Sequence, residues 1–167
     1  MKRTIALFAT LVVALLSAGN AFAGQAPDAP GTKMFTVRVG GLPGMGANLD
    51  ASIAMANLGS AHLYGGLQLG ADLRKGYGAS RTDLSLAPRL TLGFNLSRVV
   101  EMHAGGVAGI AMRKVSSSDY SSSPSLIFCY GGFGGFRFNV SDSLGIVLEG
   151  CYSHCLPYAT AGLAFRF

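Results

Sequence analysis

The 167-residue chain has no tryptophan, only three cysteines and six prolines, and few charges, 13% of its residues. Its 13 Lys and Arg are scattered among 8 Asp and Glu and nowhere form a basic cluster, so a nucleic-acid surface has nothing to stand on. No Cys-x-x-Cys pair occurs, which removes the usual zinc and dithiol frameworks. Past residue 23, no apolar run approaches the roughly 20 residues that a membrane helix needs. Yet 50% of the residues are hydrophobic and 24 are glycine. A chain this apolar, without a helix-length run, either hides a large core or turns its apolar side chains to lipid.

Residues 1–23 read as a signal peptide. Lys2 and Arg3 precede an apolar run from Ile5 to Leu16, and Ala21-Phe22-Ala23 is an A-x-A cleavage site. Removing it lowers the net charge from +5 to +3 and leaves 144 residues, one domain's worth. Residues 24–32, with two prolines, form a short periplasmic tail without periodicity. The remaining 33–167 carry one pattern throughout.

That pattern is a two-residue period, the signature of strands with one apolar face. It is clearest in the last ten residues, where Ala159, Ala161, Leu163, Phe165 and Phe167 oppose Thr160, Gly162, Ala164 and Arg166. Seven earlier runs behave alike, beginning with Phe35, Val37 and Val39. Leu84, Leu86, Leu90, Leu92 and Phe94 form the most regular internal one, with Pro88 as its blemish. Asn57-Leu58-Gly59-Ser60, Asn95-Leu96-Ser97-Arg98 and Asn139-Val140-Ser141-Asp142 are similar short turns, 38 and 44 residues apart. Between them fall polar loops, read as Lys75 to Thr82, Lys114 to Ser125 and Ser153 to Pro157. Eight antiparallel strands, with short turns on one rim and longer loops on the other, predict an all-β, eight-stranded transmembrane β-barrel with both termini on the short-turn side.

A soluble barrel would bury its apolar face, and a membrane barrel exposes it. Arg38, Asp50, Asp72, Arg74, Asp83, Arg89, Glu101, Arg113, Arg137, Glu149 and Arg166 all take the polar parity. Only Lys33, Lys75 and Arg98 take the apolar one, at strand ends or turns. Arg forks with Asp, Glu and small residues suit a crowded, internally paired lumen, whereas a wet surface favours Lys and Glu. Phe35, Phe94, Phe138, Phe165 and Phe167 band the apolar face at the short-turn end, with Tyr130 and Tyr152 at the other, as interfacial girdles do.

The chain resembles the small eight-stranded outer-membrane proteins, the group of the OmpA transmembrane domain, OmpX and the opacity-type barrels. The resemblance covers the whole chain after the leader, and it implies localisation in the cell outer membrane among lipids and lipopolysaccharide. It also implies that Leu163, Phe165 and Phe167 form the terminal signal that the barrel-assembly machinery recognises. No OmpA-type peptidoglycan-binding domain is expected beyond the barrel. The function expected is structural or surface interaction through the loops, as in OmpX or an adhesin.

Eight strands leave a lumen just wide enough for side chains, so its charges are expected to form a plug. A narrow pore is the further alternative. Cys129, Cys151 and Cys155 lie near the loop end. An oxidising compartment predicts one disulfide, with Cys129 to Cys151 and Cys129 to Cys155 both open. Cys151, His154 and Cys155 lack a fourth ligand, so no metal or cofactor is expected. A lipid A-modifying enzyme, an acyltransferase or deacylase, is the alternative from another class. Its only candidate cluster is Ser153, His154 and Glu149, and adjacent residues of a strand point apart. His62 and His103 take the lumen parity and are read as packing.

Overall fold

Alternation becomes eight strands: β1 Lys33–Gly40, β2 Met45–Leu58, β3 Ala61–Gly76, β4 Ala79–Asn95, β5 Val100–Ser117, β6 Ser125–Asn139, β7 Leu144–Ser153 and β8 Ala159–Arg166. The computed structural model describes residues 29–41, 44–59, 61–76, 78–117 and 121–167. The segment read as a leader, residues 1–23, and the first residues of the expected tail lie outside them. Each strand pairs antiparallel with the next, and β8 returns to β1 to close the barrel. The seam is paired to its last residue. Lys33 N–H donates to the Phe167 carbonyl (3.1 Å), and Phe167 N–H donates to that of Lys33 (2.9 Å). No strand edge remains among the described residues, which removes the pairing hazard of an open sheet.

The barrel is polar within and apolar without. Along β4, Asp83, Ser85, Arg89 and Thr91 are buried while Leu84, Leu86 and Leu90 are exposed. Large apolar side chains stand outward on every strand, from Phe35 on β1 to Leu163 and Phe165 on β8. Such a continuous apolar surface far exceeds the few hundred Å² that a monomer leaves to water. Phe138 departs from this rule. It takes the outward parity but is buried, with its ring centre 6.5 Å from that of Phe136.

The three similar turns share one device. Asn57 Oδ1 accepts from Gly59 N–H (3.0 Å), Ser97 Oγ from Val100 N–H (3.0 Å) and Ser141 Oγ from Leu144 N–H (3.2 Å). A short side chain thus closes each turn on its own backbone. These turns lie at the end where β1 starts and β8 stops.

The opposite rim differs from the sequence reading. The polar stretch Lys75 to Thr82 is mostly strand: β3 runs to Gly76 and β4 restarts at Ala79, with Gly78 in the left-handed region at φ 75°. Lys114 to Ser117 likewise continues β5. Ladder hydrogen bonds are indifferent to side-chain polarity, so strands continue beyond the apolar belt. Pro88 pairs with Leu67 on the β3 side, while the β4–β5 pairing passes from Leu86–Ile110 to Arg89–Val107, as expected where a ladder donor is missing.

Candidate functional site: the charged lumen and its cap

Inward-facing side chains from β1, β4 and β5 converge on Glu149 of β7. Its carboxylate accepts from Arg38 Nη1 (2.6 Å), from Arg89 Nη1 (3.1 Å) and Nη2, and contacts His103 Nε2 (3.2 Å). Arg38 also pairs with Asp50, and Arg89 donates to Gln68 Oε1 (3.0 Å) while lying 3.5 Å from the centre of the Phe133 ring. Toward the turn end, Glu101 takes Arg137 and His62 Nε2 (2.9 Å), and Arg137 donates to the Tyr64 hydroxyl (2.8 Å). Arg38, Arg89 and Arg137 balance Asp50, Glu101 and Glu149. Buried charges are tolerable only when paired in this manner, and Arg38 Nη2 and the Asp50 carboxylate meet as an ion pair outside hydrogen-bond geometry. The cavity left between them is ≈ 30 Å³, lined by residues that include Arg38, Asp50, Tyr64, Glu101 and Arg137. That is room for about one water.

The loop end is closed by a second device. After Ser153 the chain folds into the lumen and buries Cys155, Leu156 and Pro157. Leu156 joins Ala87, Val107, Ala111, Cys129 and Phe133 in an apolar layer above the charges. Gly70 and Gly46 make room for it: a β-carbon there would lie 2.8 Å from Leu156 Cδ2 and 2.7 Å from Pro157 Cγ. A disulfide from Cys129 to Cys155, with Cα atoms 6.0 Å apart, ties this cap to β6. Three arginines hold its backbone. Arg74 Nη2 donates to the Leu156 carbonyl (2.9 Å), and Arg113 Nη2 (3.0 Å) and Arg81 donate to that of His154. Asp72 and Asp83 in turn hold these arginines, with Arg74 Nε 2.5 Å from Asp72 and Arg113 Nε 2.8 Å from Asp83.

The inward charges therefore form separate groups: the Glu149 centre, the Glu101 pair, and the clamps at Asp72 and Asp83. Arg166 stands apart near the turn rim, 3.4 Å from Asn139 Oδ1. Arg81 was missed because its segment read as loop, although its parity continues that of Asp83. The cap was missed as well. Its signal was Cys155-Leu156-Pro157, apolar where an exposed loop should be polar.

The structure also decides between the two open cysteine pairings and places the Ser153, His154 and Glu149 cluster. The β6–β7 register sets Phe133, and not Cys129, opposite Cys151, so the bridge Cys129 to Cys151 is not made and Cys151 is the free thiol. Ser153 and His154 do not meet as nucleophile and base. β6–β7 pairing begins only at Gly131–Ser153, which leaves the carbonyls of Phe128 and Tyr130 beyond the ladder. Ser153 Oγ–H donates to Tyr130 (2.9 Å) and His154 Nε2–H to Phe128 (2.8 Å), so the pair stands in for the missing strand. Glu149 is engaged elsewhere, in the lumen centre. Leu163, Phe165 and Phe167 all face outward on β8 or just past it.

No protein-family model matches the chain, and no curated protein matches it by sequence. Solved structures match in fold. Ail, the attachment invasion locus protein of Yersinia pestis, superposes with a TM-score of 0.54 at 16% identity, over 83% of this chain and 100% of its own. Neisserial surface protein A gives 0.56 at 11% identity, over 81% and 94%. The fold is that of a small outer-membrane β-barrel. A de novo designed transmembrane β-barrel aligns as well, with 0.56 at 15% identity over 85% and 100%. An eight-stranded barrel fold thus needs little shared sequence beyond the alternation, the turns and a closing seam.

Proposed function

We propose that this protein is an outer-membrane barrel, delivered by its leader, that serves the envelope by its presence and its exposed rim and not by transport. The observation that carries this reading is the double closure of the lumen, by the Glu149 charge centre and by the tucked 154–157 cap. What such a barrel offers to partners is its outer wall, to lipid and lipopolysaccharide, and its loop rim, to molecules outside the cell, in the manner of OmpX-like or adhesin barrels. On that rim Lys75 is exposed and turned outward, and so is Lys114, which the sequence reading left in a loop and the structure adds to β5. Leu163, Phe165 and Phe167 are its recognition signal for the assembly machinery.

Planar-bilayer recording tests the closure. The purified barrel should leave the membrane silent, and steady unitary conductance would overturn the reading in favour of a pore. The lipid A-modifying alternative has its own assay, acyl loss or gain on lipopolysaccharide. No turnover is expected, because Ser153 and His154 are bound to the β6 backbone and not to each other. Turnover abolished by His154→Ala would establish the enzyme instead.

A further inference from the structure

Where β3 to β6 run past the apolar belt, the side chains they turn outward change chemistry within two rows. Ala71, Leu84, Met112 and Leu126 form one row across the four strands. Next toward the loop end stand Leu73, Thr82 and Lys114, and beyond them Lys75, Ser80 and Ser116. Ser121 continues the last row, with its Oγ 3.2 Å from that of Ser116. The two rows nearest the rim thus carry two ammonium groups and four hydroxyls. Asp72 and Asp83, on adjacent inward positions, are held by Arg74, Arg81 and Arg113. Among the described residues no carboxylate shares the outer strip with the lysines.

The position of the strip limits what can reach it. Lys75 and Lys114 take the parity of Leu73 and Met112, so their stems leave the wall sideways and not over the lumen mouth. A partner must lie beside the barrel, where the apolar belt gives way to the headgroup layer of a bilayer. Two strand spacings of about 4.8 Å and one two-residue step along a strand set the lysine Cα atoms about 12 Å apart. Ser80 and Thr82 of β4 lie between them. A cleft of ≈ 410 Å³ opens beside Lys75, walled by Gly76, Gly78, Ser80, Ser116 and Ser117. A β-carbon at Gly76 or Gly78 would meet nothing within 4 Å, so the cleft has a wide mouth. Ammonium groups are compact charges suited to phosphate, and hydroxyls both donate and accept, as those of a sugar do. We infer that this strip binds the phosphorylated sugar head of lipopolysaccharide in the leaflet at the loop end, with Lys75 and Lys114 on phosphate and Ser80, Thr82 and Ser116 on the sugar.

The inference rests on the membrane reading and names the partner of one sector of the outer wall. The full-length barrel in mild detergent is titrated with lipopolysaccharide, and the complex is followed by native mass spectrometry. The double variant Lys75→Gln, Lys114→Gln should bind about ten-fold more weakly or worse, as expected when two lysines leave an anionic lipid surface. Lys75→Arg with Lys114→Arg should restore binding. Lys33→Gln removes an outward lysine at the opposite rim and should change nothing. Dephosphorylated lipopolysaccharide should bind the unsubstituted barrel as weakly as the intact molecule binds the double Gln variant. Boiling-dependent gel mobility reports folding of each variant. Equal affinity of the double Gln variant and the unsubstituted barrel overturns the strip, and so does an equal loss in Lys33→Gln, which would reduce the effect to net charge. Displacement by an equimolar amount of inorganic phosphate would assign the strip to a soluble anion and overturn the lipid. A barrel that stays soluble without detergent overturns the membrane reading itself, an outcome distinct from the others.

Discussion

At the level of single residues, the side chain on which most depends is Glu149. It neutralises Arg38 and Arg89 together inside a lumen that admits about one water. Glu149→Gln keeps the shape but leaves two guanidinium groups sharing only Asp50. Removing one partner of a buried ion pair costs about 3–5 kcal/mol. The urea midpoint of the folded barrel in detergent should fall accordingly, and an unchanged midpoint would show that water reaches the site. Arg89→Met combined with Glu149→Leu removes charge from both sides at once, and should lie well above the Glu149 single variant. Tyr64 and Phe133 complete these contacts as ring surfaces for Arg137 and Arg89. The charges could be read from parity alone, because an outward Arg at mid-strand would face lipid. Which acid meets which Arg could be read only in part: Glu101 with Arg137 and Asp83 with Arg113 are direct cross-strand pairs, whereas Arg38 and Arg89 reach Glu149 across the lumen, where only the shear of the closed barrel brings them level.

At the level of elements, the cap between β7 and β8 and the seam between β8 and β1 make separate predictions. Cys129 and Cys155 are 26 residues apart, and closing a loop of that length stabilises by about 3 kcal/mol in the chain-entropy view. Proteolytic mapping without reductant should join the Cys129 and Cys155 peptides and leave Cys151 alkylatable after unfolding; a Cys151-linked peptide would refute the register. Leu156→Ala should cost about 2–5 kcal/mol, as for other buried leucines, and without its anchor the cap should become sensitive to protease. At the seam, Phe167 supplies both backbone bonds to Lys33 and a lipid-facing ring. Phe167→Ala keeps the bonds and loses the ring, whereas deletion loses both. Membrane assembly should fall with each, more with deletion, and before any other property changes. Strands, turns and seam were legible because alternation and turn chemistry are local. The cap was not, because a tucked loop is fixed by what it meets: the space above Gly46 and Gly70, and three arginines on β3, β4 and β5. Strand ends at the loop rim were missed for a related reason, since polar residues there continue a ladder whose apolar partners have already ended.

For the whole molecule, closure and inversion act together. A sheet closed on itself has no edge at which unfolding can begin, and an apolar exterior makes detergent or lipid its solvent. The barrel should therefore resist SDS at room temperature and yield only to heat, migrating as a compact species before boiling and an extended one after. The ordering of variants in this assay separates the two closures. Deletion of residues 159–167 removes β8, opens the seam and should abolish the compact band. Leu156→Ala and Cys155→Ser loosen only the cap, and should keep that band while lowering the temperature at which it is lost. Glu149→Gln strikes the lumen beneath an intact seam and should lower that temperature too. If opening the seam left the compact band in place, closure by β1 and β8 would not be what holds the molecule together, and the lumen charges would have to do so alone.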